Sequence, residues 1–166
     1  MPNDTHSEPL RIVVLVGLPG SGKSSYLEKR KLSAISSDYI RWLLADDMTD
    51  QSIHGPVFAT VRYLLRRRIQ LRRPVTYVDA TNLTRKDRRT YIKFAELHGA
   101  RAEALYFDVP VEECKARNRK RDRVVPESAI DAMVAKLEPP TIEEGFAVVT
   151  RLSEVAKTIH SGSNDI

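Results

Sequence analysis

Residues 17–24 read Gly-Leu-Pro-Gly-Ser-Gly-Lys-Ser and follow an apolar run, Ile12–Val16. This is G-x-x-x-x-G-K-[ST] at the end of a strand, a device for holding phosphates. Gly17, Gly20 and Gly22 let the backbone turn tightly, so that its N–H groups converge on phosphate oxygens, and a helix starting near Lys23 adds the positive end of its dipole. Leu18, Pro19, Ser21 and Ser25 complete the cradle. Lys23 is placed to reach the β- and γ-phosphates, and the Ser24 hydroxyl to ligate Mg²⁺.

Three further groups could act on a phosphoryl donor held there. Ser36-Ser37-Asp38-Tyr39-Ile40-Arg41 puts Asp38 and Arg41 at i and i+3, on one helix face. A carboxylate near a γ-phosphate can accept the proton of an attacking hydroxyl, with Arg41 gripping the acceptor's own phosphate or orienting Asp38. The other reading has Ser37 capping a helix and Asp38 complementing its dipole. Asp79-Ala80-Thr81-Asn82 closes an apolar strand. Asp79 there can hold the Mg²⁺ shell, directly or through water, or face Lys23; Asn82 can meet phosphate or acceptor, or simply turn the chain. Arg117, Arg121 and Arg123 lie in a strongly basic segment. Arginines brought by a lid neutralise the charge that spreads over equatorial oxygens in phosphoryl transfer, whereas the bland reading is a solubilising helix.

Other reactive residue types offer less. The four histidines are scattered, without cysteines at ligand spacing, which argues against zinc. Cys114 reads as a small core residue and Trp42 as core rather than as a platform for a base.

Alternating strands and helices must position these groups. Strands are predicted at 11–16, 34–36, 75–79, 102–107 and 147–151. Helices are predicted at 21–31, 38–45, 56–72, from Thr84 (with Asp87 three residues on) to Gly99, from Pro110 into the basic segment, and from Pro126. Such alternation implies a parallel sheet covered by helices on both faces, with ligands beyond the carboxyl ends of its strands. That rule gathers 17–24, 36–38 and 79–82 around one site. The fold class is therefore α/β, a single domain over 9–160 with a small helical lid at about 115–137 and loose tails at 1–8 and 161–166.

Composition sets the outer bounds. The chain has 166 residues, 42% hydrophobic and 30% charged, as in an ordinary globular domain. No apolar run approaches a membrane span, no signal pattern opens the chain, and a lone cysteine cannot form an internal disulfide, so a cytoplasmic protein is expected. The net charge of +5 is unevenly spread. Residues 115–123 hold six basic side chains and one acid, residues 62–73 hold six arginines and no acid, and 85–89 adds Arg85, Lys86, Arg88 and Arg89. Three such clusters beside a phosphate cradle favour a polyanionic partner.

Taken in order, Gly17–Ser24, Ser36–Arg41, Asp79–Asn82, Arg117–Arg121 and Pro-Pro-Thr-Ile-Glu-Glu-Gly-Phe at 139–146 resemble the polynucleotide 5′-hydroxyl kinases of nucleic-acid end repair, across about 12–146. The resemblance implies a P-loop fold with a helical lid and ATP-dependent, Mg²⁺-dependent transfer to a 5′-OH end of DNA or RNA. It implies Asp38 as general base, Arg41 on the acceptor phosphate, Lys23 on the donor phosphates, Ser24 on Mg²⁺, and Arg117 and Arg121 as lid arginines near the nucleotide. Many relatives fuse this domain to a phosphatase or ligase. This chain has no Asp-x-Asp-x-Thr motif and no room for a ligase, which implies separate partners. The competing readings are a P-loop kinase for a small metabolite or a tRNA-linked acceptor, which needs no basic clusters outside the lid, and a nucleotide-gated nucleic-acid-binding module, which needs no Asp38–Arg41 pair. No Asn-Lys-x-Asp motif selects guanine, so ATP is the expected donor.

Overall fold

The computed structural model describes residues 8–153. The strands β1 (Arg11–Val16), β2 (Ala34–Ser36), β3 (Val75–Asp79), β4 (Arg101–Tyr106) and β5 (Val148–Arg151) form one sheet in the order β2-β3-β1-β4-β5, every pair parallel. Six helices connect them: α1 (Lys23–Lys29), α2 (Ser37–Ala45), α3 (His54–Gln70), α4 (Arg85–Leu97), α5 (Val111–Arg119) and α6 (Glu127–Lys136). From Ile12 to Val16 β1 is apolar because both its faces are covered. Ile12, Val14 and Val16 join the main core, which takes Val57, Val61 and Leu65 from α3 and Tyr91, Ile92 and Ala95 from α4. Val13 and Leu15 pack on the other side against Leu27 of α1. The connection after β1 leaves toward β2, and that after β4 toward β5, so the switch point lies beside the carboxyl end of β1.

The helix boundaries follow their end chemistry. Thr84 and Asp87 form the expected capping box at the start of α4. At α2 the cap is Ser36, not Ser37: the Ser36 Oγ accepts from the Tyr39 N–H at 3.3 Å, and Ser37 is already helical and buried. The helix expected over 56–72 starts two residues earlier, at His54, since Pro56 suits a first helical turn. The predicted helix at 21–31 is trimmed to α1 because left-handed Gly22 starts it and Lys31 leaves it with φ +53°. Trp42 is not core: it is 45% exposed and stacks on Tyr39 with ring centroids 5.8 Å apart. α2 lies at the edge of the molecule and buries only Ser37, Ile40 and Arg41. Cys114 is fully buried beside Leu18 and Leu83. The expected tails, apart from residue 8, and the domain's expected end at 160 lie outside the described residues. Among the described residues no helix is long and apolar enough to cross a membrane.

Candidate functional site

The carboxyl ends of β1, β2 and β3 open into one cleft of about 1680 Å³. That exceeds the several hundred Å³ typical of a single small ligand and leaves room for a donor and an acceptor together. Residues 19–25 of the phosphate loop and the start of α1 line it, while Gly17 and Leu18 lie behind them. The Gly17 N–H donates to the Thr81 carbonyl at 3.1 Å, which ties this loop to the end of β3. Gly20 and Gly22 have φ of +80° and +97°, and a Cβ on Gly20 would lie 2.3 Å from the Cys114 carbonyl oxygen, so only glycine lets α5 seat on the loop. Leu18 packs into the base of the lid. Gly22 starts α1 without any side-chain cap, and the buried Ser21 Oγ has no partner. Both leave polar groups at the loop waiting for a ligand.

Lys23 Nζ donates to the carbonyls of Gly17 and Leu18 at 2.8 and 3.0 Å. Burial pushes its pKa down to about 8; Arg121 pushes the same way, while Asp79 and Asp38 oppose. Asp79, at the end of β3, is held above the usual carboxylate range by burial, with Asp38 adding to the rise and Lys23 and Arg121 opposing it. Lys23, Asp38, Asp79 and Arg121 are thus one electrostatic unit drawn from four separate segments. Ser24 and Ser25 are exposed on the wall of the same cleft, with Pro19 beside them.

Asp38 and Arg41 line the same cleft as the cradle. Arg41 is only 4% exposed, and its Nη1 donates to Asp38 Oδ1 at 3.2 Å, while its buried Nε has no partner. A buried guanidinium with a free N–H is costly to leave unmatched, and it faces the cleft. Asp38 is half exposed, at 52%.

Asn82 lines the cleft, and its amide also turns the chain, the second role open to it in the sequence. It is buried with φ +48°, and its Nδ2 donates to the carbonyls of Leu15 at 2.7 Å and Ala80 at 3.3 Å. It braces the turn after Asp79 against β1. A second brace was not visible in the residue types. Arg88 is fully buried and forks onto Glu144, with Nε to Oε2 at 2.9 Å and Nη2 to Oε1 at 2.7 Å. Its Nη1 donates to the carbonyls of Asn82 and Leu83. Glu144 also closes a capping box with Thr141, Gly145 turns with φ +115° against Ile92, and Phe146 enters the core. The Pro-Thr-x-x-Glu-Gly-Phe run is therefore a clamp on the Asp79–Leu83 loop.

The lid consists of α5, α6 and the loop between them. Fully buried Asn118 closes it, donating to the Val125 carbonyl at 2.7 Å and accepting from the Val125 N–H at 3.0 Å. Acids neutralise part of the basic segment locally: Arg117 pairs with Glu113, Lys115 with Asp131 at 2.7 Å and Arg119 with Glu127 at 2.6 Å. Arg117, Lys120, Arg121 and Arg123 line the cleft, and Arg117 lies against Gly22. The other two basic clusters contribute little. From 62–73 only Arg62 reaches the cleft, since Arg68 binds Thr76 Oγ1 and the Val75 carbonyl at the far end of the sheet. From 85–89 only Lys86 does, together with the acid Asp87.

The RNA repair complex Pnkp1/Rnl/Hen1 contains a chain similar to this one, at 24% identity and TM-score 0.66 over 82% of this chain and 46% of that one. A second structure of a Pnkp1/Rnl/Hen1 complex matches at 27% identity and TM-score 0.51, over 75% of this chain and 42% of that one. The chain thus spans less than half the length of these relatives. A sugar kinase from Janibacter sp. HTCC2649 matches at 22% identity and TM-score 0.60, over 90% and 94% of the two chains. The family model described as an AAA domain matches residues 12–140, and with the parallel sheet, phosphate loop and helical lid above, the chain belongs to that family and has the fold of the P-loop kinases.

Proposed function

We propose that this protein is a polynucleotide 5′-hydroxyl kinase, transferring the γ-phosphate of ATP to the 5′-OH end of DNA or RNA within a single domain over 9–160. The observation that carries the reading is the Asp38–Arg41 pair: an exposed carboxylate bonded to a buried guanidinium with a free Nε, in the same cleft as Lys23. In this reading Gly17–Ser25 cradles the donor phosphates with Lys23, and Arg117 and Arg121 close over them from the lid. Arg41 grips the phosphate beside the reacting sugar, and Asp38 takes the hydroxyl proton. Among the described residues no group of three or more His, Cys, Asp or Glu gathers at a metal-ligand spacing. Ser24 and, through water, Asp79 would be the protein's contributions to a divalent ion, an oxygen donor set that suits Mg²⁺. Mg²⁺ bound there would neutralise donor phosphate charge.

The similarity to chains from RNA repair complexes supports a nucleic-acid acceptor and repair partners, and separate phosphatase or ligase partners belong to the same proposal. A cytoplasmic setting belongs to the same proposal, on the strength of a single buried cysteine. The similarity to a sugar kinase of nearly the same length favours a metabolite acceptor as the second reading. Asp38→Asn separates mechanism from fold. Label transfer from γ-labelled ATP to a 5′-OH oligonucleotide should fall at least ~100-fold, the usual scale for a general base, with ATP affinity near wild type. Near-normal transfer by this variant, or labelling of sugars in preference to the oligonucleotide, would remove the proposal.

A further inference from the structure

Asp38 has two oxygens, and in the free protein both are taken. Oδ1 accepts from Arg41 on the same helix; Oδ2 accepts from Arg123 Nη1 at 3.4 Å, from the lid loop 85 positions away in sequence. Arg123 makes one other hydrogen bond, to the Met48 carbonyl, also at 3.4 Å, and lies in the field of the Asp47 carboxylate. The two arginines differ in kind. Arg41 is buried, whereas Arg123 is 35% exposed, and both of its contacts are long for an N–H···O bond. The backbone on either side of it is fixed independently by the Asn118–Val125 bonds, so this side chain can swing without opening the lid. Arg121, two residues earlier, acts electrostatically on Lys23 and Asp79, on the donor side of the cleft.

We infer that Arg123 is a specificity-determining residue: it occupies the proton-accepting edge of Asp38 until an acceptor carrying its own phosphate draws it away, and it thereby keeps water from serving as acceptor. The inference rests on the role proposed above for Asp38. A phosphate offers the guanidinium shorter, two-pronged, charge-assisted bonds in exchange for one long contact, whereas water offers none. Once Oδ2 is free, the acceptor hydroxyl donates to it. The Pγ–O bond to the leaving ADP breaks, a bond from Pγ to the acceptor oxygen forms, and the proton rests on Asp38. With water in that place the same balance gives ADP and inorganic phosphate.

The test uses the full chain with Mg²⁺ and ATP, reading ADP release without acceptor and label transfer to a 5′-OH oligonucleotide. Arg123→Gln should raise acceptor-free ADP release about three- to fivefold, the equivalent of losing one weak exposed ion pair. Transfer should not rise with it, so the ratio of hydrolysis to transfer increases. Arg123→Lys should fall between, since an ammonium keeps the charge without the fork. In an Asp38→Asn background the gain should vanish. An unchanged ratio in Arg123→Gln and Arg123→Lys, or a gain that survives in Asp38→Asn, would overturn the inference. The ADP-release arm needs no acceptor: the expected gain in a chain that labels no oligonucleotide would retain Arg123's role and remove the proposed acceptor.

Discussion

Glu144→Ala should destabilise the protein more than any single change to the exposed lid pairs. Arg88 is 0% and Glu144 4% exposed, and the pair is bidentate. Removing the carboxylate leaves a buried guanidinium whose Nε and Nη2 have lost their acceptors, and breaking a buried pair from one side costs about 3–5 kcal/mol. For a chain of this size each kcal/mol moves Tm by about 2–4 °C, so a fall of roughly 6–20 °C is expected. Urea titration should show the same loss as a lower midpoint at unchanged slope. The double variant Arg88→Met/Glu144→Leu should lose less than either single truncation, because no charge is stranded. The effect reaches the cleft, since Arg88 Nη1 holds the carbonyls of Asn82 and Leu83, next to the Asp79–Thr81 turn. A Tm for Glu144→Ala within about 2 °C of wild type, less than the shift expected from 1 kcal/mol, would refute the clamp.

Three further outcomes follow from the same geometry. Gly20→Ala places a Cβ 2.3 Å from the Cys114 carbonyl at φ +80°, so it should cost about 1–3 kcal/mol in a denaturant titration and abolish ATP binding by calorimetry, whereas Gly55→Ala, with open space around it, should do neither. Lys23 is depressed to about 8 in the folded chain against 10.5 when free, so the unfolded chain binds more protons between those values and the stability that this group takes away returns as pH rises through that window. Lys23→Met should therefore melt at or above wild type at pH 7, with the gap closing by about pH 10, and ATP affinity of the wild type should fall as pH passes 8; an affinity flat across that range would count against Lys23 meeting the phosphates. Arg121→Ala should lower kcat more than it weakens nucleotide binding, with partial recovery in Arg121→Lys; equal losses in kcat and affinity would make it a binding residue only.

The elements with strong local signals were legible in the residues. β1, β2 and β3 occur at the expected bounds because an apolar run or a short β-branched stretch is bounded by Gly, Pro or a cap. The phosphate loop is a local motif and folded as one. What could not be read was the partner of each charge. Arg88 and Arg123 belong to equally basic stretches, yet one is sealed under the Pro-Thr-x-x-Glu-Gly-Phe run 56 positions away and the other reaches Asp38 across the cleft. Arg68 shows the same limit, as the direction of α3 carries most of its arginines to the far end of the sheet. Trp42 looks like core from its residue type, which does not reveal that α2 buries only Ser37, Ile40 and Arg41. For Asn82 the turn role was legible in the residue type, but the Leu15 carbonyl that its amide meets, 67 positions away, was not.

The central claim is that Arg41 recognises a phosphate next to the hydroxyl that Asp38 deprotonates. Steady-state transfer from γ-labelled ATP to a nucleoside, its 3′-monophosphate and a short 5′-OH oligonucleotide tests it most directly. A bare nucleoside should fail, the 3′-monophosphate should be the minimal acceptor, and Arg41→Glu should raise acceptor KM and lower kcat while ATP binding stays close to normal. Equal kcat/KM for nucleoside and oligonucleotide, or an Arg41→Glu variant that phosphorylates both as the wild type does, would contradict it.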